Sequence, residues 1–236
     1  MMSEQRSDDA VGFFSENAQM FHDLYRGQPE FHERVRVWNA LLDRHATRGG
    51  SSLDMGCGPG VFTFHLARMG GSVIGVDGAP DMVATCETQR QKLGLDNVRF
   101  VQARLPMDRA DEFAPADLVI SSSVVEYVDD LDAVLAQFAR LLKPSGVLIV
   151  SMPNVASLSR IFQRVKFRLT QEPEIYRHIR HFASPSSLQR RVAPLGLSLL
   201  ESAYYTHFTR LAKLGHALRL PRVLTEDLFV AVFRKA

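Results

Sequence analysis

Only two of the 236 residues are cysteine, Cys57 and Cys86. Two thiols make no disulfide framework and cannot alone build a zinc site. A reducing, cytoplasmic compartment is therefore the expectation. No apolar run is long enough to span a bilayer. The opening MMSEQRSDDA is polar and acidic and lacks an apolar core, so a secretory leader is not expected. Internal repeats and low-complexity tracts are absent. What remains, 46% apolar and 23% charged residues, is ordinary for a globular chain. The length suits one large domain or one domain with an elaboration.

Net charge is small too, +2, but it is unevenly placed. Residues 151–236 hold 14 Lys and Arg against 5 Asp and Glu, a net +9, and residues 1–150 carry −7. A basic C-terminal third suits an anionic substrate, a membrane surface, nucleic acid, or simply a solvated basic surface.

The pattern along the chain is helical first. Phe13, Phe14, Met20, Phe21, Leu24 and Tyr25 recur at helical spacing, as do Phe31, Val35, Trp38, Leu41 and Leu42. After the TRGGS break a β/α alternation begins. Strands are expected at SSLDM, SVIGVD, VRFVQA, ADLVISSS and VLIVSMP. The helices between them are VFTFHLARMG, APDMVATCETQRQKLG and LDAVLAQFARLLKPSG. Such alternation implies parallel βαβ units with helices on both faces of the sheet. Beyond Pro153 the pattern loosens into a basic helical segment, NVASLSRIFQRVKFRL, and a helix capped by Ser184 ahead of Pro185. LSLLESAYY and DLFVAVFR follow as two further strands able to close the sheet.

The chemistry concentrates where the first strand runs into Asp54-Met55-Gly56-Cys57-Gly58-Pro59-Gly60. This loop sits at the carboxyl end of a parallel strand, where open α/β sheets bind ligands. The second strand ends in Asp77, about twenty residues past the first glycine, where an acid commonly grips a ribose diol. Yet the loop is neither G-x-G-x-x-G nor a P-loop, and Asp54 inside it would repel a pyrophosphate. An adenosine ligand with a cationic amino-acid end and no phosphate, S-adenosyl-L-methionine, fits better.

These residues resemble a known family. LDMGCGPG is similar to motif I of the class I S-adenosylmethionine-dependent methyltransferases. VIGVD with APDMVATC resembles their second motif. The stretch ADLVISSSVVEYVDDLDAVLAQFARLLKPSGVLIVSMPN resembles their fourth and fifth strands, most nearly as in ubiquinone-biosynthesis O-methyltransferases. The resemblance covers roughly residues 50–154 well and the tail loosely.

It implies a Rossmann-like, doubly wound seven-stranded α/β sheet, mostly parallel with an antiparallel last strand and helices on both faces. Residues 1–49 would form an N-terminal helical cap, and residues 50–236 the methyltransferase domain with 155–182 as a substrate-side insertion. It implies attack on the sulfonium methyl, with S-adenosyl-L-homocysteine as product. Carried over residue by residue, the cofactor site comprises Asp54, Gly56, Cys57, Gly58 and Gly60 of the loop. To these it adds Asp77 on the ribose, Gly78, Met82 near the adenine, and Ser121 and Ser122 at the end of the fourth strand.

The chain also departs from the family. Arg104 stands after the third strand where an acid is common, so backbone around Ala103 to Leu105 is expected to hold the adenine. A metal-binding Glu-x-x-Glu-His pattern reads Ser123-Val124-Val125-Glu126-Tyr127, and no catalytic metal is expected. Related enzymes place an arginine upstream of motif I on the cofactor's carboxylate. Arg34 and Arg36 cannot share a helix face, and Arg36 is preferred here. Phe14, Phe21 and Tyr25 are candidates for a lid. Tyr127 is expected in the methyl-transfer cleft, and His181 as a proton acceptor with a suitable pKa. The expected acceptor is a small molecule, possibly anionic, methylated most readily at oxygen. The alternatives are a tRNA-modifying enzyme that uses the basic third, and a non-catalytic cofactor-binding subunit. Nothing in the sequence indicates an oligomeric state.

Overall fold

The computed structural model describes residues 10–18, 20, 29–206 and 215–236. Phe21, Leu24 and Tyr25, and hence most of the proposed lid, lie outside them. The described chain opens with helix α1 (residues 10–16) and α2 (Pro29–His45), followed by β1 (Ser51–Met55) and α3 (Val61–Arg68). Next come β2 (Ser72–Asp77), α4 (Pro80–Leu93), β3 (Val98–Gln102), β4 (Ala116–Ser122), α5 (Leu131–Arg140) and β5 (Leu142–Pro153). The C-terminal part holds α6 (Leu158–Thr170), α7 (Pro185–Val192), β6 (Leu197–Tyr205), α8 (Arg222–Thr225) and β7 (Leu228–Lys235).

The seven strands form one sheet in the order β3-β2-β1-β4-β5-β7-β6. The first five are parallel, and β7 runs antiparallel between β5 and β6. The seven-stranded, doubly wound fold expected from the sequence is the fold observed.

The pleat sends successive side chains to opposite faces, and both faces are covered. Val119, Leu148, Val150, Ala231 and Phe233 join one core, packed by Leu131, Val134, Leu135 and Phe138 of α5 and by Leu188 and Val192 of α7. Their neighbours Leu118, Ile120, Ile149, Val230 and Val232 join the other core, with Trp38, Leu41 and Leu42 of α2 and Phe62, Phe64 and Leu66 of α3. Two-sided burial is why β4 and β5 read as continuous apolar runs. Fully burying one such side chain contributes about 1.5–3 kcal/mol. Trp38 anchors α2 by stacking on Phe62 at 4.9 Å and donating to the Tyr205 hydroxyl at 3.3 Å.

Local signals set the helix ends. Asp130 accepts from the Ala133 N–H at 2.9 Å and starts α5. Ser184 forms a reciprocal capping box with Ser187 at the start of α7, with Pro185 in the first turn as the sequence suggested. One boundary differs. The helix expected through Gly146 ends at Arg140, and Leu142 already pairs with Ala116. Pro144 disfavours the helical region for Lys143, and Lys143 instead reaches Asp117 at 2.9 Å.

The order places β1 beside β4, while the chain leaves β1 toward β2 on the other side. Such a reversal opens a crevice beyond the carboxyl ends of the strands.

Candidate active site

A cavity of about 340 Å³ fills that crevice. Its floor is the glycine loop after β1. Gly56 has φ +78° and abuts Val124 so closely that an added Cβ would lie 2.2 Å from a Val124 methyl. The N–H groups of Gly56 and Cys57 both donate to the Val76 carbonyl, at 2.7 and 2.9 Å, which ties the loop to β2. Gly58, at φ +51°, faces open space and lines the cavity. The two glycines thus differ in kind. Gly56→Ala is expected to destabilise the fold by about 2–5 kcal/mol, from a left-handed backbone plus overpacking. Gly58→Ala should cost only about 1–2 kcal/mol of backbone strain while filling ligand space. Thermal melts and ligand calorimetry on the two variants separate these effects. Equal melting temperatures would contradict the assignment.

Asp77, at the end of β2, lines the cavity. One carboxylate oxygen accepts from the Gly58 N–H at 2.8 Å and the other from the Ala79 N–H at 2.9 Å. The Gly78 N–H also favours the charged carboxylate; a carboxylate has about four acceptor sites, so Asp77 is aimed by these donors and keeps acceptor capacity for a ligand hydroxyl. Burial pushes its pKa up, opposed by these backbone donors.

Asp54 and Ser121 lie one layer deeper than expected. Asp54 is 1% exposed, does not line the cavity, and accepts from the Thr63 hydroxyl at 2.6 Å. Burial pushes its pKa up to about 7. The Ser121 hydroxyl donates to the Met55 carbonyl at 2.8 Å. Gly60 closes the loop as the residue before α3 and also stays out of the lining. None of the three lines the cavity; for Asp54 and Ser121, both on strands, the pleat turns alternate residues away from the crevice.

The wall beyond Asp77 brings together Gly78, Met82, Ala103, Arg104 and Leu105, where the adenine was expected. Ala10, Val11 and Phe14 of α1 cover it. Opposite, the choice between the two upstream arginines is reversed. Arg36 points outward, 74% exposed beside Glu33, whereas Arg34 is 6% exposed and lines the cavity. Its guanidinium donates to the Ser122 carbonyl at 2.9 Å and the Ser122 hydroxyl at 2.7 Å. Arg34→Ala is expected to weaken cofactor binding roughly tenfold to a hundredfold, the scale of one charge-assisted hydrogen bond. Arg36→Ala should leave it unchanged. Calorimetry on both variants is the check, and equal losses would contradict the facing of α2.

The far end of the cavity holds Glu126, Tyr127, Arg160, Ile175 and Ile179. Glu126 is 2% exposed. Burial pushes its pKa up to about 7, against the nearby charges of Arg34 and Arg160. Among the described residues its Oε2 has no hydrogen-bond partner. Tyr127 packs edge-on against Phe14 at 5.1 Å. Burial and then the Glu126 charge push its pKa up, so it stays a protonated phenol.

His181 does not reach this space. Its Nε2 lies 2.9 Å from the Val128 carbonyl, and its ring is absent from the lining. The backbone N–H groups of Arg180 and His181 donate to the Glu126 carbonyl, at 2.8 and 3.2 Å, and Arg180 pairs with Asp129. The segment expected to supply a base therefore clamps the loop that carries a buried acid. From the sequence, Glu126 is a structural or substrate-facing acid and Arg160 part of a segment that could cover the site; Phe31, Ile175 and Ile179 were not identified there. The available signal was a lone acid after the fourth strand where a metal pattern had been lost. Among the described residues no three His, Cys, Asp or Glu side chains gather as a metal site. Likewise, no helix among them is long and apolar enough to cross a membrane.

Known proteins agree with this fold. A family profile described as a methyltransferase domain matches residues 46–203, more than half of the chain. A ubiquinone biosynthesis O-methyltransferase of Azorhizobium caulinodans is 29% identical over 162 residues, 66% of this chain and 62% of that protein. The match thus spans less than two thirds of that relative. One of the same name from Nitrosococcus oceani is 26% identical over 91% of this chain and 94% of its own length. Among solved structures, the magnesium protoporphyrin IX methyltransferase of Synechocystis PCC 6803, with bound S-adenosylhomocysteine, superposes with a TM-score of 0.72 at 19% identity. That superposition covers 95% of this chain and 96% of the other. With the profile spanning the glycine loop, Asp77 and the strands around them, the chain belongs to the methyltransferase-domain family, in the fold of the class I S-adenosylmethionine-dependent enzymes.

Proposed function

We propose that the protein transfers the methyl group of S-adenosyl-L-methionine to an oxygen of a small, largely apolar acceptor, releasing S-adenosyl-L-homocysteine. The observation that carries the acceptor half is Glu126, a buried carboxyl with an unpartnered oxygen at the far end of the cavity.

The residues present fit the donor. Asp77 offers two aimed acceptor sites for a diol, Gly58 leaves room beside it, and Met82 with Leu105 forms an apolar slot for a flat ring. The Arg34 guanidinium, in the cavity wall, is the group this reading assigns to the cofactor's carboxylate. Bound there, the cofactor supplies a methyl carbon made electrophilic by its sulfonium. Glu126 accepts the proton of the acceptor's hydroxyl as the oxygen–carbon bond forms, and its pKa near 7 matches that task. Tyr127, a protonated wall, orients the acceptor and does not act as the base. Phe14, Phe31 and Tyr127 exclude water, so alignment and desolvation do most of the work.

In this reading residues 1–49 act as a cap, with Ala10, Val11 and Phe14 over the cofactor, and residues 155–182 supply the acceptor side. The basic residues after Pro153 favour a small acceptor over RNA. Arg160 turns into the cavity, Arg164 covers the Phe182 ring at 4.7 Å, and Arg180 and Arg191 pair with Asp129 and Asp132. The name shared by the Azorhizobium and Nitrosococcus relatives points to oxygen as the acceptor atom.

The test is incubation with cofactor labelled in its methyl group against hydroxylated and carboxylated metabolites and total tRNA. Label in an extractable small molecule as a methyl ether or ester supports the reading. Label confined to RNA, or cofactor binding with no transfer to any acceptor, would overturn it.

A further inference from the structure

The far end of the cavity carries a cation that the protein does not neutralise by direct pairing. Arg160, on α6, lines it together with Ile175, Ile179 and Leu228. The side chain is fixed in place. Its Nε donates to the Asp227 carbonyl at 3.2 Å and its Nη1 to the Tyr176 hydroxyl at 2.9 Å. Tyr176 is 7% exposed and donates in turn to Gln163 of the same helix. Both partners of the guanidinium are therefore neutral oxygens. Among the described residues no carboxylate forms an ion pair with Arg160, and its Nη2 makes no hydrogen bond. Asp227 commits its carboxylate elsewhere, one oxygen to the Ser157 hydroxyl at 3.1 Å and the other to the Thr206 hydroxyl at 3.0 Å.

A guanidinium presents five N–H donors in a planar fork whose geometry matches a carboxylate. Two of the five are taken here, and they hold the fork before any ligand arrives. Apolar walls lower the local dielectric and strengthen whatever anion the fork meets. A cation withdrawn from water without an anionic partner is costly, so the site is completed by an anion from outside the chain. Arg180 and Arg191, by contrast, already pair with Asp129 and Asp132. Arg34 meets Ser122 and is assigned to the cofactor.

We infer that the acceptor is a hydroxy acid whose carboxylate binds Arg160 while its hydroxyl faces Glu126. The anion site stands on the geometry of Arg160; the fate of the hydroxyl rests on the methyl-transfer reading. In the transfer the hydroxyl oxygen bonds the methyl carbon, the sulfonium–methyl bond breaks with its electron pair left on sulfur, and the hydroxyl proton passes to Glu126. The carboxylate takes no part and survives in the product, which is a methyl ether. One guanidinium suits one monoanion; a phosphate monoester would bring close to two charges. A neutral alcohol would leave the cation desolvated and unmatched, and a site built around a buried polar group rejects ligands that leave it unpaired. Two-point recognition of this kind sets which acceptor is used and which of its oxygens is methylated.

The probes are hydroxynaphthoate and naphthol, one ring system with and without the anion. Each is titrated by calorimetry into the full chain saturated with S-adenosyl-L-homocysteine, which keeps the Arg34 end of the cavity filled. The naphthoate should bind at least about tenfold more tightly, the scale of one charge-assisted hydrogen bond. Arg160→Met should remove that preference and leave naphthol affinity within about threefold of wild type. Arg160→Lys keeps the charge and should retain part of the preference. A role confined to pinning α6 would lower the melting temperature and weaken both probes alike. Naphthoate that binds wild type no more tightly than naphthol, or a preference unchanged in the methionine variant, would overturn the inference. A methyl ester as the labelled product would also overturn it while leaving methyl transfer to oxygen intact. Absence of any transfer, with the Arg160-dependent preference present, would remove the methyl-transfer reading and support the anion site.

Discussion

Asp77→Ala should weaken S-adenosylmethionine binding by at least about a hundredfold, because two charge-assisted hydrogen bonds to the ribose are lost together. The size follows from preorganisation. The Gly58 and Ala79 N–H groups hold the carboxylate before any ligand arrives, so no ordering cost offsets its contacts. Asp77→Asn is the informative companion, since an amide keeps the shape but offers one acceptor oxygen and no charge. It should fall between wild type and alanine. Calorimetry reads the affinity, and circular dichroism checks that the strand remains. An alanine variant that is folded and binds within about threefold of wild type would remove Asp77 from the cofactor site.

Glu126→Gln should lower kcat by about a hundredfold to ten-thousandfold, the usual range for loss of a general base. The wild-type rate should rise with pH through an apparent pKa of about 7 and then level off, because only the carboxylate accepts a proton. The variant should lose that limb.

Stability should move the other way. The carboxyl has a folded pKa near 7 against an ordinary 4.5, so between those values the folded state binds more protons than the unfolded state. Stability from this group therefore falls as pH rises from about 4.5 to 7 and stays low above that, a loss of about 3 kcal/mol in order of magnitude. Asp54, raised from 3.8 to about 7, adds a second decline over a similar window. Glu126→Gln should melt higher than wild type at pH 8 and at nearly the same temperature at pH 4. A variant with wild-type activity, or one that melts lower at pH 8, would end the assignment of Glu126 as the base.

These two residues differ in how far a linear reading reaches them. Asp77 sits at the end of an apolar strand at a fixed distance from a glycine-rich turn, and both signals are local. Strand β1, the turn, helix α3 and strand β2 are contiguous, so backbone propensity and the two-residue and 3.6-residue periods decide them. The same local rules identified the Ser184 cap and the two closing strands. They overran at Lys143-Pro144, where pairing of Leu142 with Ala116 ended helix α5 early.

Glu126 owes its chemistry to distant groups. Its burial, its neighbours Arg34 and Arg160, and the clamp of Arg180 and His181 come from elements up to about ninety residues away in sequence. Desolvation depends on everything packed around a carboxyl, and no local spacing records it. The choice of Arg34 over Arg36 is similar. Arg34 lies three residues after Phe31 and four before Trp38, so it shares the apolar face of α2, but that this end of the face reaches the cavity and meets Ser122 depends on where Trp38, Leu41 and Leu42 dock α2 against the sheet. Helix α6 makes the point most plainly. Its apolar residues are legible in the sequence, but polar contacts of Arg160 to Tyr176 and Asp227 turn Leu158, Phe162, Val165 and Leu169 outward. By itself, then, the sequence determined the strands, the glycine turn and the acid at the end of β2, which short-range sterics and hydrophobic periodicity set. The tertiary structure alone decided which charges are buried, that Arg34 reaches the cavity and which face of α6 meets solvent, because burial is a property of the whole packed chain.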